Sequence, residues 1–272
     1  MTTTSMNNPR SPPFHADWLV PDWPAPTHVR AVFSTRDGGV SAAPFDTLNL
    51  GDHVNDAPDA VRANRAVLRE AIGATPVFLQ QVHGQQVATL DRARTDEATT
   101  AADACVTTEP GLACTIMVAD CLPVLFTDRQ GVAVAAAHAG WRGLAGASGS
   151  GVLEAAVRAV NAAASSDVPT LLAWLGPCIG PKAFEVGDEV REAFVAQQAE
   201  ASAWFSPCAP GKWLADLPGL ARLRLRTLGF LDAQVYGNDS SCAWCTVNNP
   251  SRFFSYRRER VTGRMAACIW KL

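Results

Sequence analysis

The sequence predicts an α/β fold built on mixed β-sheet, and three observations point there. Segments of strand character outnumber segments of helical periodicity, and the two kinds do not alternate as a doubly wound parallel sheet requires. The run from Ala104 to Ala137 is strand-like almost throughout, reading ACV, CTIMVADCLPVLF and GVAVAAA. With 272 residues, 48% of them hydrophobic, the chain has ample material for one large buried core or two modest ones.

The elements follow in order. Val29–Thr35 reads as a strand running into the turn Arg36-Asp37-Gly38-Gly39. Asp56–Ile72 reads as a helix with Val61, Leu68, Ala71 and Ile72 on one face and Gly73 at the C-cap position. Val77–Val82 and Gln86–Leu90 are short strand candidates around His83-Gly84. After the long strand-rich run, a glycine-rich stretch from Gly140 to Gly151 leads into a helix presenting Leu153, Ala156, Val157 and Val160. Leu171–Leu175 is a further strand, and Gly187–Gln198 and Asp216–Leu228 are helices. Strand and turn alternate through FFSYRR and MAACIW, while Ala162–Ser166 and Ser206–Lys212 read as surface loops. No repeat, low-complexity tract or linker divides the chain.

Composition excludes several classes. Lys and Arg number 23 against 26 Asp and Glu, a net charge of −3, so no basic footprint for nucleic acid exists. No apolar run approaches the roughly 18–20 residues that span a bilayer. Met1–Pro13 is polar without an apolar signal region and reads as a frayed tail. Eight cysteines without an export signal suggest packing thiols in a reducing cytoplasm rather than a disulfide framework. Only five histidines are present, which caps any imidazole chemistry.

Three segments can carry chemistry. His83 lies at the end of an apolar strand in QQVHG; Asp120 and Cys121 interrupt an otherwise apolar strand in VADCLP; His138 closes another strand in AHAGWRG. A buried carboxylate is costly without a partner, and adjacent strand residues face opposite sides unless a bulge intervenes. Converging, the three form a His2Cys set with an open fourth position, the donor pattern of catalytic Zn(II). The same atoms allow a hydrolase with Cys121 as nucleophile and His138 or His83 as base. They also allow a copper centre with Met117 as axial ligand. A laccase-type trinuclear copper cluster is excluded, because five histidines with no His-x-His pair cannot furnish it.

Around these segments, glycine-rich backbone amides after His138 could approach an anion, with Arg142 adding charge. Arg36, on a turn after a strand, is a second candidate for an anionic oxygen of substrate or phosphate. The cluster Tyr256-Arg257-Arg258-Glu259-Arg260 reads as solvated surface, and Cys242-Ala-Trp-Cys245 is a lone CxxC without the second pair of a zinc ribbon.

In order along the chain, STRDGGVS, LNLGDHVND, QQVHG, ADACVTTEPG, VADCLPVLF, HAGWRG, GPCIGP and FFSYRRERVTGRMAACIWKL resemble the YfiH-like family from about Val29 to Leu272. That family has been labelled laccase-domain polyphenol oxidase, peptidoglycan editing factor and purine nucleoside phosphorylase with adenosine deaminase activity. The resemblance implies a tail over residues 1–28 and one catalytic domain over 29–272. It further implies mixed sheets layered between helices, related to Cys–His hydrolase-like folds. It implies zinc on His83, Cys121 and His138, Arg36 near the substrate pocket, and adenosine, inosine or 5′-methylthioadenosine as substrates alongside phosphate. Asp103, Asp120 and Glu185 are the carboxylates that could shuttle a proton during attack on purine C6. The other enzymatic readings are a Cys121-dependent amide hydrolase of a cell-wall precursor and a copper-linked oxidoreductase. The expected protein is cytoplasmic, a monomer or weak homo-oligomer, with no nucleic-acid or membrane partner.

Overall fold

The computed structural model describes residues 15–92, 101–147, 149–165 and 171–272. Packing begins upstream of Val29. Trp18 is buried and Leu19 bridges to Phe33 in β1 (Val29–Phe33), so residues 15–28 are anchored to the sheet rather than part of a loose tail. Residues 1–14, the rest of the expected tail, lie outside the described residues.

Helix α1 (Pro58–Ile72) starts with Pro and Asp in its first turn and stops at Gly73, whose φ of 62° supplies a left-handed C-cap. Strand β2 (Thr75–Val77) lies ahead of the expected Val77–Val82 and shares only Val77 with it, and β3 (Val87–Thr89) is shorter than the expected Gln86–Leu90. The apolar run resolves into β4 (Ala104–Thr107), β5 (Leu112–Val118), β6 (Leu122–Asp128) and β7 (Val134–Ala139), every residue of which is buried. A short helix, α2 (Trp141–Ala145), occupies the glycine-rich stretch ahead of α3 (Val152–Ala164). Then come β8 (Leu171–Leu175), β9 (Glu185–Gly187) and α4 (Asp188–Val195).

The Ser206–Lys212 loop expectation is corrected: β10 (Phe205–Ala209) and β11 (Lys212–Ala215) pair as an antiparallel hairpin turning through Gly211 at φ 66°. The hairpin is mostly exposed, so no apolar alternation announced it. Asp216 caps α5 (Leu217–Thr227), accepting from the Gly219 N–H at 2.9 Å. After β12 (Val235–Gly237), the FFSYRR segment contains a helical turn, α6 (Tyr256–Glu259), before β13 (Met265–Lys271).

Both large sheets are mixed, as predicted. One has the order β1-β13-β5-β2 with only β2 parallel to its neighbour; the other runs β12-β8-β6-β7-β4-β3 with parallel pairs at its two edges. The hairpin and β9 make a third, small sheet. Phe33, Ile116 and Ile269 from the first sheet pack on Leu125, Val134 and Trp174 from the second. The outer face of the first sheet packs Val32, Cys268 and Trp270 on Leu68 and Ile72 of α1. The outer face of the second packs Val124, Phe126 and Ala173 on α3, α4 and α5 through Leu153, Phe194 and Leu220. The layers therefore stack helix, sheet, sheet, helix.

Two registers position the site. Strands β5 and β6 lie in different sheets, joined only by the crossover Ala119-Asp120-Cys121. Leu122 pairs with Ala139 and Pro123 with His138, which brings Cys121 beside Gly140.

Candidate metal centre and its cavity

His83 stands not at a strand end, as the sequence suggested, but in a turn at φ 60° beyond the isolated bridge at Gln80. A left-handed non-glycine residue costs roughly 1–3 kcal/mol and persists only where its surroundings over-determine it. Asp103 does so. Its Oδ2 accepts the Val82 and Gly84 N–H groups at 3.1 and 2.6 Å, and its Oδ1 accepts the His83 N–H at 2.9 Å. Gln81 ties the turn to β5, its carboxamide pairing with both the N–H and the C=O of Met117 at 2.8 Å.

The Asp120-Cys121 pair is likewise not within a strand. Both residues sit in the crossover, where Asp120 adopts φ 92°, so strand alternation does not apply and both reach the same cavity. Asp120 accepts the Thr246 hydroxyl and the Arg257 backbone N–H, each at 2.6 Å, and its carbonyl accepts the Ile179 N–H at 2.9 Å. His138 closes β7 as predicted, buried, with Nδ1 donating to Asp103 Oδ1 at 2.8 Å.

The structure brings the three side chains together. One donor atom from each of His83, Cys121 and His138 lies within 4.8 Å of the others. Cys121 Sγ is 3.8 Å from His83 Nε2, and the two imidazoles meet edge-on with centroids 4.8 Å apart. Burial works against charge on Cys121, yet the neighbouring His138 and the hydrogen bonds to both imidazoles hold its thiol down to about 6. His138 resists its own burial through Cys121 and then Asp103, which push it up to about 9. Asp103 overcomes burial through the His138 hydrogen bond and the Gly84 and Val82 amides, and sits below the usual carboxylate range. The result is a row of carboxylate, imidazolium and thiolate.

This donor set fits a metal. Sulfur and two imidazoles suit Zn(II), and a carboxylate on the far nitrogen of a ligating histidine is the usual orienting partner. Gly140 keeps the space open, since a Cβ there would fall 3.0 Å from both Cys121 Sγ and His83 Cδ2. At φ −63° its backbone is ordinary, so glycine is needed for clearance and not for conformation.

The centre opens into a cavity of about 450 Å³. Arg142 lines it, with its guanidinium 4.5 Å from the Trp141 ring centroid. Arg36 does not reach it. That guanidinium is spent on Asp46 and Glu259 at 3.3 and 3.1 Å and on the Pro250 carbonyl at 2.9 Å, bracing loops over Phe254. Of the candidate proton carriers, Asp120 lines the cavity, Asp103 is turned to its four donors, and Glu185 is exposed on β9 outside it. Cys242 is exposed, and buried Cys245 accepts the Gly180 N–H at 3.2 Å; both are free thiols.

Sequence reasoning missed Arg257, Arg264, Tyr256, Phe184 and His53, all of which line the cavity. The cluster read as solvated surface divides across α6. Arg257 turns to the cavity, while Arg258 binds Glu259 and the carbonyls of Thr246, Val247 and Phe253. Arg264 is delivered by the pairing of Met265 with Val118, a long-range register that no local pattern announces.

Residues 30–272 match the family described as multi-copper polyphenol oxidoreductase laccase. A purine nucleoside phosphorylase of Pseudomonas aeruginosa is 53% identical over 254 residues, covering 93% of this chain and 98% of its own. The purine nucleoside phosphorylase YfiH of Escherichia coli is 50% identical over 256 residues, with 93% and 98% covered. Among solved structures, a Neisseria meningitidis protein aligns with TM-score 0.85 at 45% identity, covering 94% of this chain and 99% of that one. YlmD from Geobacillus stearothermophilus aligns with TM-score 0.82 at 31% identity, covering 90% and 92%.

Proposed function

This chain belongs to the YfiH family, described as multi-copper polyphenol oxidoreductase laccase, and on that premise we propose that it is a zinc-dependent purine nucleoside phosphorylase that also deaminates adenosine. The observation that carries the reading is the His2Cys donor set opening into a cavity walled by Trp141, Phe184 and Tyr256 and by arginines. Flat aromatic faces suit a purine, cationic groups suit phosphate, and a cavity of about 450 Å³ is of small-molecule size. Adenosine, inosine and 5′-methylthioadenosine are the substrates to try, with phosphate as second reactant.

Zinc on His83, Cys121 and His138 would supply Lewis acidity and water activation near neutral pH. The chain's own groups do the remaining work. Asp103 keeps the proton on His138 Nδ1, which directs the other ring nitrogen toward Cys121. Asp120 is the carboxylate that lines the cavity, and carrying a proton would require it to release the Thr246 hydroxyl or the Arg257 amide. Arg142 keeps its candidacy for phosphate.

The copper label fits the donors poorly. His28 is occupied at the Gly131 carbonyl and His15 lies beside Asp17, which leaves too few imidazoles for a multi-copper cluster. Among the described residues no helix is long and apolar enough to cross a membrane. A cytoplasmic monomer or weak homo-oligomer is the assembly we propose.

One observation favours a second reading. Asp103, His138 and Cys121 also form the orienter, base and nucleophile of a cysteine hydrolase. Metal analysis with a product assay separates the two. We expect one zinc per chain, lost in His83→Ala and Cys121→Ala, phosphate-dependent release of hypoxanthine from inosine, and conversion of adenosine to inosine. Full activity of metal-free protein, with substrate trapped on Cys121, would establish the hydrolase instead.

A further inference from the structure

The cavity wall carries more positive charge than the chain neutralises. Arg142, Arg257 and Arg264 line it together with one carboxylate, Asp120. Both Asp120 oxygens are already taken by the Thr246 hydroxyl and the Arg257 backbone N–H. Among the described residues none of the three guanidinium groups pairs with a carboxylate, whereas Arg36 has Asp46 and Glu259, Arg65 has Asp52, and Arg258 has Glu259.

Two of the three are nonetheless fixed in place. Arg264 Nη1 donates to the Thr262 and Gly263 carbonyls at 3.0 and 3.1 Å, and its stem lies over Gly51, where a Cβ would come within 2.7 Å of Cγ. Arg257 donates from Nη1 and Nη2 to the Glu185 carbonyl, both at 3.1 Å, and from Nη1 to the Ala183 carbonyl at 3.4 Å. Carbonyl dipoles orient a guanidinium without cancelling its charge. That combination, half-buried and pre-oriented but without a carboxylate in ion-pair contact, is what an anion site needs, because leaving such a charge unpaired is costly. Both residues also flank the crossover that carries Cys121. Arg264 precedes the Met265–Val118 pair, and the Arg257 amide is bound to Asp120.

We propose that Arg257 and Arg264 form the phosphate subsite of this cavity, with Arg142 as a third cation. The inference rests on the phosphorylase reading and names where its second substrate binds. In that reaction a phosphate oxygen bonds to the nucleoside C1′ as the bond from C1′ to the base breaks. The bonding pair leaves with the base, and the proton of hydrogen phosphate passes to the base nitrogen. The arginine pair holds the oxyanion charge throughout.

The test uses the full, zinc-loaded chain. Binding of inorganic phosphate is measured calorimetrically without nucleoside, and phosphate dependence is measured with inosine, for wild type, Arg257→Gln, Arg264→Gln and Arg264→Lys. We expect each Gln variant to raise the phosphate Kd and KM by about tenfold or more while the inosine KM moves by about twofold at most. Arg264→Lys should recover part of the loss. Phosphate bound by wild type and not by the Gln variants, with no nucleoside cleaved, would sink the phosphorylase reading and leave the subsite standing. Phosphorolysis with unchanged phosphate KM in both Gln variants would overturn the subsite alone. Equal losses of phosphate and inosine affinity, unrescued by Lys, would mark a structural role and overturn it too.

Discussion

Asp103 accepts from three consecutive backbone amides and from His138 Nδ1 while fully buried, so one carboxylate sets the turn of one donor and the ring of another. Asp103→Ala leaves four donors unmatched. We expect a metal affinity 10- to 100-fold lower, from the loss of the orienting partner, and about 3 kcal/mol less stability, from breaking a buried charge pair. Chelator competition and urea unfolding measure the two effects, and unchanged affinity would remove Asp103 from the centre. The titration of the pair it anchors gives a second expectation. Cys121 is depressed to about 6, so its contribution to stability is present above the unfolded thiol value and is lost as pH falls through about 6. His138 is raised to about 9, so its contribution is present below the unfolded imidazole value and is lost as pH rises through about 9. Between the unfolded values the folded thiolate–imidazolium pair and the unfolded thiol and neutral imidazole bind one proton each, and the two slopes cancel. Metal binding requires thiolate and neutral imidazole, so it releases the His138 proton. Zinc affinity should therefore rise about tenfold per pH unit from about 6 to about 9 and flatten above it. A pH-independent affinity across that window would contradict the ion pair.

Between the elements, clearance is set by glycines rather than by loop flexibility. A Cβ on Gly140 would press on Cys121 Sγ and His83 Cδ2 at 3.0 Å, and one on Gly143 would meet the Gly84 carbonyl at 2.7 Å. Gly140→Ala should cost about 1–3 kcal/mol by overpacking and lower the zinc content while the fold survives. Metal analysis beside thermal unfolding checks this, and full zinc occupancy in the variant would refute the steric account. At this scale the sequence was legible wherever burial imposes a period. Helices α1, α3 and α5 and strands β4, β7 and β8 stand close to their expected ranges, because one face or both faces must be apolar. The β10–β11 hairpin was not legible, since its exposed residues carry no alternation. Nor was α2, whose Gly143 packs against backbone in a segment that composition alone marks as loop.

For the molecule as a whole, the division into two sheets was hidden, because β5 and β6 form one apolar run whose split depends on β13 inserting between β1 and β5 from the far end of the chain. That insertion also delivers Arg264, which is why this residue of the cavity wall escaped a local reading while the three motif-borne donors did not. The candidate metal centre spans the layers. His83 is tied through Gln81 to β5 of the four-stranded sheet, His138 belongs to β7 of the six-stranded one, and Cys121 sits on the crossover between them. A metal held by all three would resist separation of the sheets, so its binding energy should count toward global unfolding rather than local fraying. Free zinc at about 100 times its Kd should add about 2.7 kcal/mol, which for a chain of this size raises the unfolding midpoint by roughly 5–10 °C. Cys121→Ser should lose most of that gain. Tryptophan fluorescence, with Trp174 between the sheets and Trp270 on the outer face of the first, should report one transition that moves together with far-UV dichroism. A zinc-induced shift confined to one probe would mean that the centre stabilises a single sheet and that the crossover does not couple them.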